Sequence, residues 1–268
     1  MIFRFFMIEW ISALILAVVQ GITEFFPVSS SGHLVLFEKI LNYSGGLLLE
    51  VALHFGTLMA VFVYFGNDIV NILRDLFSGK FKCENGRLGV LLIVASIPAG
   101  AVGFFVKDFF DSLAGNLFVL GFGWAVTSLV LFIGSMNFER RREIGKLGFG
   151  NAFLIGIAQV FSLVPGVSRS GATISSGLVL GLNEKNAVKF SYLLSIPVII
   201  GANLVSIGNR TLPLEFLGGT LLSFFIGLIF INISFRYVLT NRNNLRWFGA
   251  YTLLLAVAVL FNAIFVGM

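Results

Sequence analysis

Charge is scarce in this sequence. Of 268 residues only 12% are Asp, Glu, Lys or Arg, while 57% are hydrophobic and the mean hydropathy is +0.98. A water-soluble domain carries about a quarter of its residues as charges, so a soluble globular fold is excluded and lipid must be the solvent for most of the chain. Cysteine is nearly absent as well. The single Cys83 excludes an internal disulfide and a cysteine-rich metal cage, and its place between Lys82 and Glu84 in a polar loop reads as chemically idle. A cleavable leader is not expected, because Glu9 and Trp10 interrupt the first apolar run and no small-residue cleavage site follows.

What is plentiful fits a bilayer. Thirty Gly and thirty-one Phe suit helices that approach closely and face acyl chains. Six segments, about 48–66, 88–106, 116–135, 187–207, 215–235 and 247–266, are long and apolar enough to span. Two more, about 10–41 and 151–182, are broken by FFPVSSSGH and VPGVSRSG. Non-helical backbone at membrane depth needs protein or a wet cavity to satisfy it, so these read as re-entrant helix pairs. The expectation is an all-α polytopic membrane protein, a single integral membrane domain over 1–268 with six transmembrane helices plus two re-entrant helix pairs.

The net charge of +5 and the pI near 9.6 come from a few loops and signal topology, not nucleic-acid binding. Arg74, Lys80, Lys82 and Arg87 lie in one loop, Arg140, Arg141, Arg142 and Lys146 in a second, and Arg236, Arg242 and Arg246 in a third, all placed in the cytoplasm. The loops near Lys107 and Arg210 hold one basic residue each and are placed outside, with both termini. An offset of 139 sets Gln20 on Gln159, Val28 on Val167, Ser29 on Ser168, Ser31 on Ser170 and Gly32 on Gly171. Three spans lie between the copies, which makes the halves (about 10–135 and 150–266) an inverted repeat with its site where the broken helices meet at the midplane.

Ionisable groups at membrane depth are costly and therefore candidates for chemistry. Gln20 and Glu24 are four apart on one helical face, His33 opens the next helix, and Arg169 takes the position equivalent to Ser30. Both breaks have the form Ser-x-Ser-Gly at a helix start, whose free amides make an anion site, and Arg169 adds a planar fork that matches phosphate. A carboxylate repels phosphate, so Glu24 implies either a bridging divalent cation or a base. His33 suits proton transfer and Ser30 is a candidate nucleophile, beside which water and His33 itself stay open. A structural Glu24–Arg169 ion pair and a helix-capping His33 are the bland alternatives. Ser29 and Ser31 read as turn and cap residues, Thr173 as a phosphate contact or a bond to its own helix, and His54, in LEVALHFGTL, as a packing histidine.

QGITEFFPVSSSGHL and PGVSRSGAT resemble the two signatures of the undecaprenyl-diphosphate phosphatase, or bacitracin-resistance, family, and the resemblance covers nearly the whole chain. It implies hydrolysis of undecaprenyl (polyprenyl) diphosphate to the monophosphate carrier for cell-envelope synthesis, at the plasma membrane, with a divalent cation such as Mg2+ or Ca2+. It also implies an active-site core of Glu24, Ser30, His33 and Arg169, with Gln20, Ser168, Ser170 and Thr173 around it; Ser29 and Ser31 are further candidates for substrate contact, and Glu24 is the candidate metal ligand. Gln20 stands where many members have a second Glu, which leaves one carboxylate fewer for a metal. A flippase or anion transporter is the competing reading, since inverted repeats with broken helices are also transporter architecture, but transport does not obviously require Glu24 with His33. Partners are the polyprenyl diphosphate and membrane lipids, with a homo-oligomer left open; the site is expected to open outward.

Overall fold

The computed structural model describes residues 2–137, 143–207 and 213–265. Arg140, Arg141, Arg142, Asn209 and Arg210 lie outside the described residues, as does the side chain of Lys107. The chain is all-α among the described residues: α1 (Ile2–Thr23), α2 (Ser30–Leu41), α3 (Gly46–Tyr64), α4 (Gly66–Phe77), α5 (Glu84–Phe105), α6 (Lys107–Leu113), α7 (Leu117–Gly134), α8 (Phe149–Val160), α9 (Arg169–Val179), α10 (Glu184–Ile207), α11 (Leu217–Ile233) and α12 (Leu245–Phe265). Among the described residues six helices are long and apolar enough to cross a membrane, α3, α5, α7, α10, α11 and α12. Their ends agree with the sequence reading to within a few residues.

One stretch read as a polar loop is mostly helix. In α4, Ile69, Ile72 and Leu76 recur at helical spacing and turn toward the core, with Ile72 and Leu76 against Gly89 of α5, while Arg74 and Phe77 are exposed. The charges of the segment, which mark it as a polar loop in the sequence, hid that apolar stripe.

The shorter helices break where the sequence says they must. Pro27 cannot continue α1, and Ser29 caps α2 with an Oγ that accepts from the Gly32 amide at 3.3 Å. Pro165 and Gly166 separate α8 from α9, and Ser168 caps α9 by accepting from the Gly171 amide at 3.0 Å. Each cap also holds its neighbour alike, Ser29 and Ser31 Oγ atoms 3.4 Å apart and those of Ser168 and Ser170 3.3 Å apart.

The basic loops share one face. Arg87 donates to the Leu147 carbonyl at 3.0 Å, Arg242 to Glu184 at 2.7 Å and to the Met136 carbonyl at 3.1 Å, and Lys189 pairs with Asp68 at 2.6 Å. The start of α8 and the end of α9 lie at this face, where Asn186 donates to Glu143 at 2.7 Å. The middle of α1 and the end of α2 lie together in a separate apolar cluster with Ala13, Leu41, Tyr43 and Phe216.

Candidate active site

The two breaks meet. Glu24, just past the end of α1, forms an ion pair with Arg169, the first residue of α9, and the Ser170 hydroxyl donates to the Phe26 carbonyl at 3.2 Å. Both partners are largely buried, with side-chain exposures of 6% for Glu24 and 16% for Arg169. A buried pair of this kind is weak support for stability, since desolvation offsets its attraction. Its place between two helix N-termini is informative instead. The amides of Ser30 and Ser31, and of Arg169 and Ser170, find no protein acceptor among the described residues, which leaves donors for an anion beside a guanidinium.

Glu24 is the hub. Its Oε2 accepts from the Ser30 hydroxyl at 2.7 Å and from the Gln20 amide at 3.1 Å. Gln20 reaches on to Thr57 Oγ1 at 3.4 Å, and its Oε1 is buried with no partner among the described residues. Arg169 also donates to the Ser191 carbonyl at 3.3 Å. Thr173 bonds back to the Arg169 carbonyl at 2.9 Å and shares a 2.6 Å hydroxyl bond with Ser191, so it braces the first turn of α9. His33 stands apart from the hub, its hydrogen bonds running to the Ser29 carbonyl and to Tyr251.

One reading needs correction. His54, taken from sequence as a packing histidine, brings Nε2 to 3.7 Å from Glu24 Oε2. Its Nδ1 lies 2.9 Å from the Glu50 carbonyl, which only accepts, so Nδ1 carries a proton and Nε2 is the atom turned to the carboxylate. The sequence offered no partner because α3 must first pack beside α1. Replacing His54 with Ala is therefore expected to slow turnover roughly 10-fold, about 1.4 kcal/mol, with little change in the thermal midpoint in detergent; a loss of stability at unchanged turnover would restore the packing role.

Residues that the sequence reading did not single out hold both loops in place. On α7, Trp124 donates to the Val28 carbonyl at 2.9 Å, and Thr127 donates to the Gly166 carbonyl at 2.8 Å and accepts from the Ser168 amide at 2.9 Å. On α10, the Tyr192 hydroxyl donates to the Phe25 carbonyl at 2.6 Å. Their signal was present as polar side chains inside apolar spans, which in lipid seek partners across helices. The contact of α7 with the second loop is close: Gly166 has φ +91, and a Cβ on Gly123 would stand 2.1 Å from the Pro165 carbonyl oxygen. Gly123→Ala should thus destabilise by ~1–3 kcal/mol through overpacking, seen as a lowered thermal midpoint with a parallel loss of activity.

Comparison with known proteins points one way. The family described as bacitracin resistance protein BacA matches residues 13–258. The chain is 38% identical over 268 residues to an undecaprenyl-diphosphatase of Rubrobacter xylanophilus, covering 94% of this chain and 98% of that protein. It is 35% identical over 248 residues to one of Methanococcus vannielii (92% and 98% covered). A third, from Methanosphaera stadtmanae, is 42% identical over 216 residues (75% and 78% covered).

Proposed function

This chain belongs to the bacitracin resistance protein BacA family, and from that premise we propose how its site hydrolyses undecaprenyl diphosphate to undecaprenyl phosphate and inorganic phosphate. The observation that carries the mechanism is the 2.7 Å bond from the Ser30 hydroxyl to Glu24, the relation of a nucleophile to its base. The terminal phosphate sits among the free amides of α2 and α9, and Arg169 turns from Glu24 to its oxygens. That exchange frees the carboxylate to take the Ser30 proton as Ser30 Oγ attacks phosphorus. The bond from phosphorus to the bridging oxygen breaks, and undecaprenyl phosphate leaves. Water then attacks the phosphoseryl group and gives its proton to His33; the bond from phosphorus to Ser30 Oγ breaks, Glu24 returns its proton to that oxygen, and inorganic phosphate leaves. Positioning and charge neutralisation do most of the work, as is general for phosphoryl transfer.

A divalent cation suits the hub only as a companion of the substrate. Among the described residues no three His, Cys, Asp or Glu side chains converge as a metal cage. Glu24 and the partnerless Gln20 Oε1 supply two oxygen donors, and the diphosphate would supply the rest. Such a cation, Mg2+ or Ca2+, would offset negative charge between carboxylate and phosphate.

The architecture supports reading α1–α2 and α8–α9 as re-entrant pairs of inverted halves. Packing repeats between them: α1 lies against α11 as α8 lies against α5, and α3 against α11 as α10 against α5. With the basic face in the cytoplasm, the site opens outward at the plasma membrane. With the exposed Cys83 replaced by Ser, a single cysteine placed at the exposed Ser112 should label with an impermeant thiol reagent from outside; labelling only from the cytoplasm would invert this orientation.

The deciding experiment incubates purified protein with undecaprenyl diphosphate in detergent, quenches with acid and measures free phosphate and intact mass. Phosphate release with a phosphorylated species that Ser30→Ala abolishes is expected. Phosphate release at wild-type rate by Ser30→Ala would make water the nucleophile.

A further inference from the structure

His33 is held on every side, and the partner at its outer nitrogen has no role so far. The Ser29 carbonyl accepts from the His33 amide at 3.1 Å and lies 2.8 Å from Nδ1. A carbonyl only accepts, so Nδ1 carries the proton and Nε2 of the neutral ring is a lone pair. The Tyr251 hydroxyl, 2.8 Å from Nε2, therefore donates to it.

The rings are fixed as firmly as the atoms. Tyr251 stacks on His33 with centroids 5.8 Å apart and planes inclined 18°, and Trp124 meets the imidazole edge-on at 5.4 Å and 77°. Ser29 holds φ +68, a conformation uncommon outside glycine, and that turn aims its carbonyl at the ring. Such strain persists only where its surroundings over-determine it. A histidine that merely caps or packs needs none of this. Tyr251 itself comes from α12, 218 residues away in sequence, so it is helix packing that brings its hydroxyl to the ring.

We propose that Tyr251 is the proton relay of His33, the group through which the imidazole exchanges protons with the reaction. This rests on the reading of His33 as the acceptor for the attacking water. As water attacks the phosphoseryl group, its proton goes to the Tyr251 oxygen while the Tyr251 hydroxyl proton passes to Nε2. Tyrosine ends neutral and His33 ends as imidazolium, so no charge is stranded on the phenol. Return of that proton to bulk water resets the pair.

The test is a double-mutant cycle on the purified full-length protein with undecaprenyl diphosphate, comparing wild type, Tyr251→Phe, His33→Gln and the double variant. Phe keeps the ring and its stacking, so Tyr251→Phe should hold the wild-type thermal midpoint while kcat falls about 30-fold and KM stays within 2-fold. In the His33→Gln background the same change should cause no further loss, because residues acting in one chain are not additive. If His33→Gln fails to fold, His33→Asn takes its place. Wild-type kcat in Tyr251→Phe overturns the relay, as do losses that multiply in the double variant. Wild-type kcat in the His33 variant instead removes the reading beneath it. Faster turnover in Tyr251→Phe would make the hydroxyl a cap that the reaction must displace, and would equally overturn the relay.

Discussion

Replacing Glu24 with Gln should reduce phosphate release from undecaprenyl diphosphate by roughly 1000-fold, within the range general base catalysis supplies. The carboxylate accepts from Ser30 and Gln20 through Oε2 while Oε1 pairs with Arg169. An amide presents one acceptor and one donor group, so it must either abandon Ser30 or turn hydrogens on Arg169. Removing one partner of a buried ion pair also strands the other, which in comparable cases destabilises by about 3–5 kcal/mol. The rate and the thermal midpoint should therefore fall together. Single-turnover phosphate release, measured on protein that remains folded at the assay temperature, separates the two effects. Turnover within 3-fold of wild type in folded Glu24→Gln would remove Glu24 as base and leave it a structural counter-ion.

Arg169→Lys tests the phosphate clamp without changing charge. Arg169 now spans Glu24 through Nη2 and the Ser191 carbonyl through Nη1. A guanidinium can trade that pair of contacts for two phosphate oxygens, whereas an ammonium is a single compact charge that cannot reproduce the fork. Loss of one charge-assisted contact made in the transition state is worth roughly 2–4 kcal/mol, or about 30-fold to 1000-fold in rate. The comparison is phosphate release at saturating lipid. Wild-type turnover in the Lys variant would assign Arg169 to structure.

The sequence revealed most where lipid narrows the options. Six apolar runs became six long helices, since a bilayer admits few alternatives for a run of that length. Pro27 and the Pro165–Gly166 pair announced the breaks, and Glu24, Ser30 and Arg169 were found converging because ionisable and hydroxylated residues near a break have few other uses. What escaped was set by helix packing. His54 meets Glu24 only once α3 lies beside α1, and Tyr251 meets His33 only once α12 passes α2. Neither relation has a spacing that could be read along the chain. Thr127, Ser191 and Tyr192 escaped because attention fell on ionisable groups rather than on every polar side chain in a span. The offset that set Gln159 on Gln20 found a second buried glutamine, yet neither amide atom of Gln159 has a partner among the described residues, so the likeness does not extend to shared hydrogen bonding.

Helix α7 fastens the first loop through Trp124 and the second through Thr127, three residues on along the same helix. Rocking one half of the molecule against the other, as carriers do, would have to tear one of these fastenings and pull Glu24 from Arg169 in a low-dielectric interior. A rigid rod bolted to both jaws makes a vice rather than a shuttle. The diphosphate head must travel to the jaws, and the greasy tail must stay in the bilayer while the head is cut, so turnover should be governed by how fast lipid diffuses in and out rather than by any large swing of the protein.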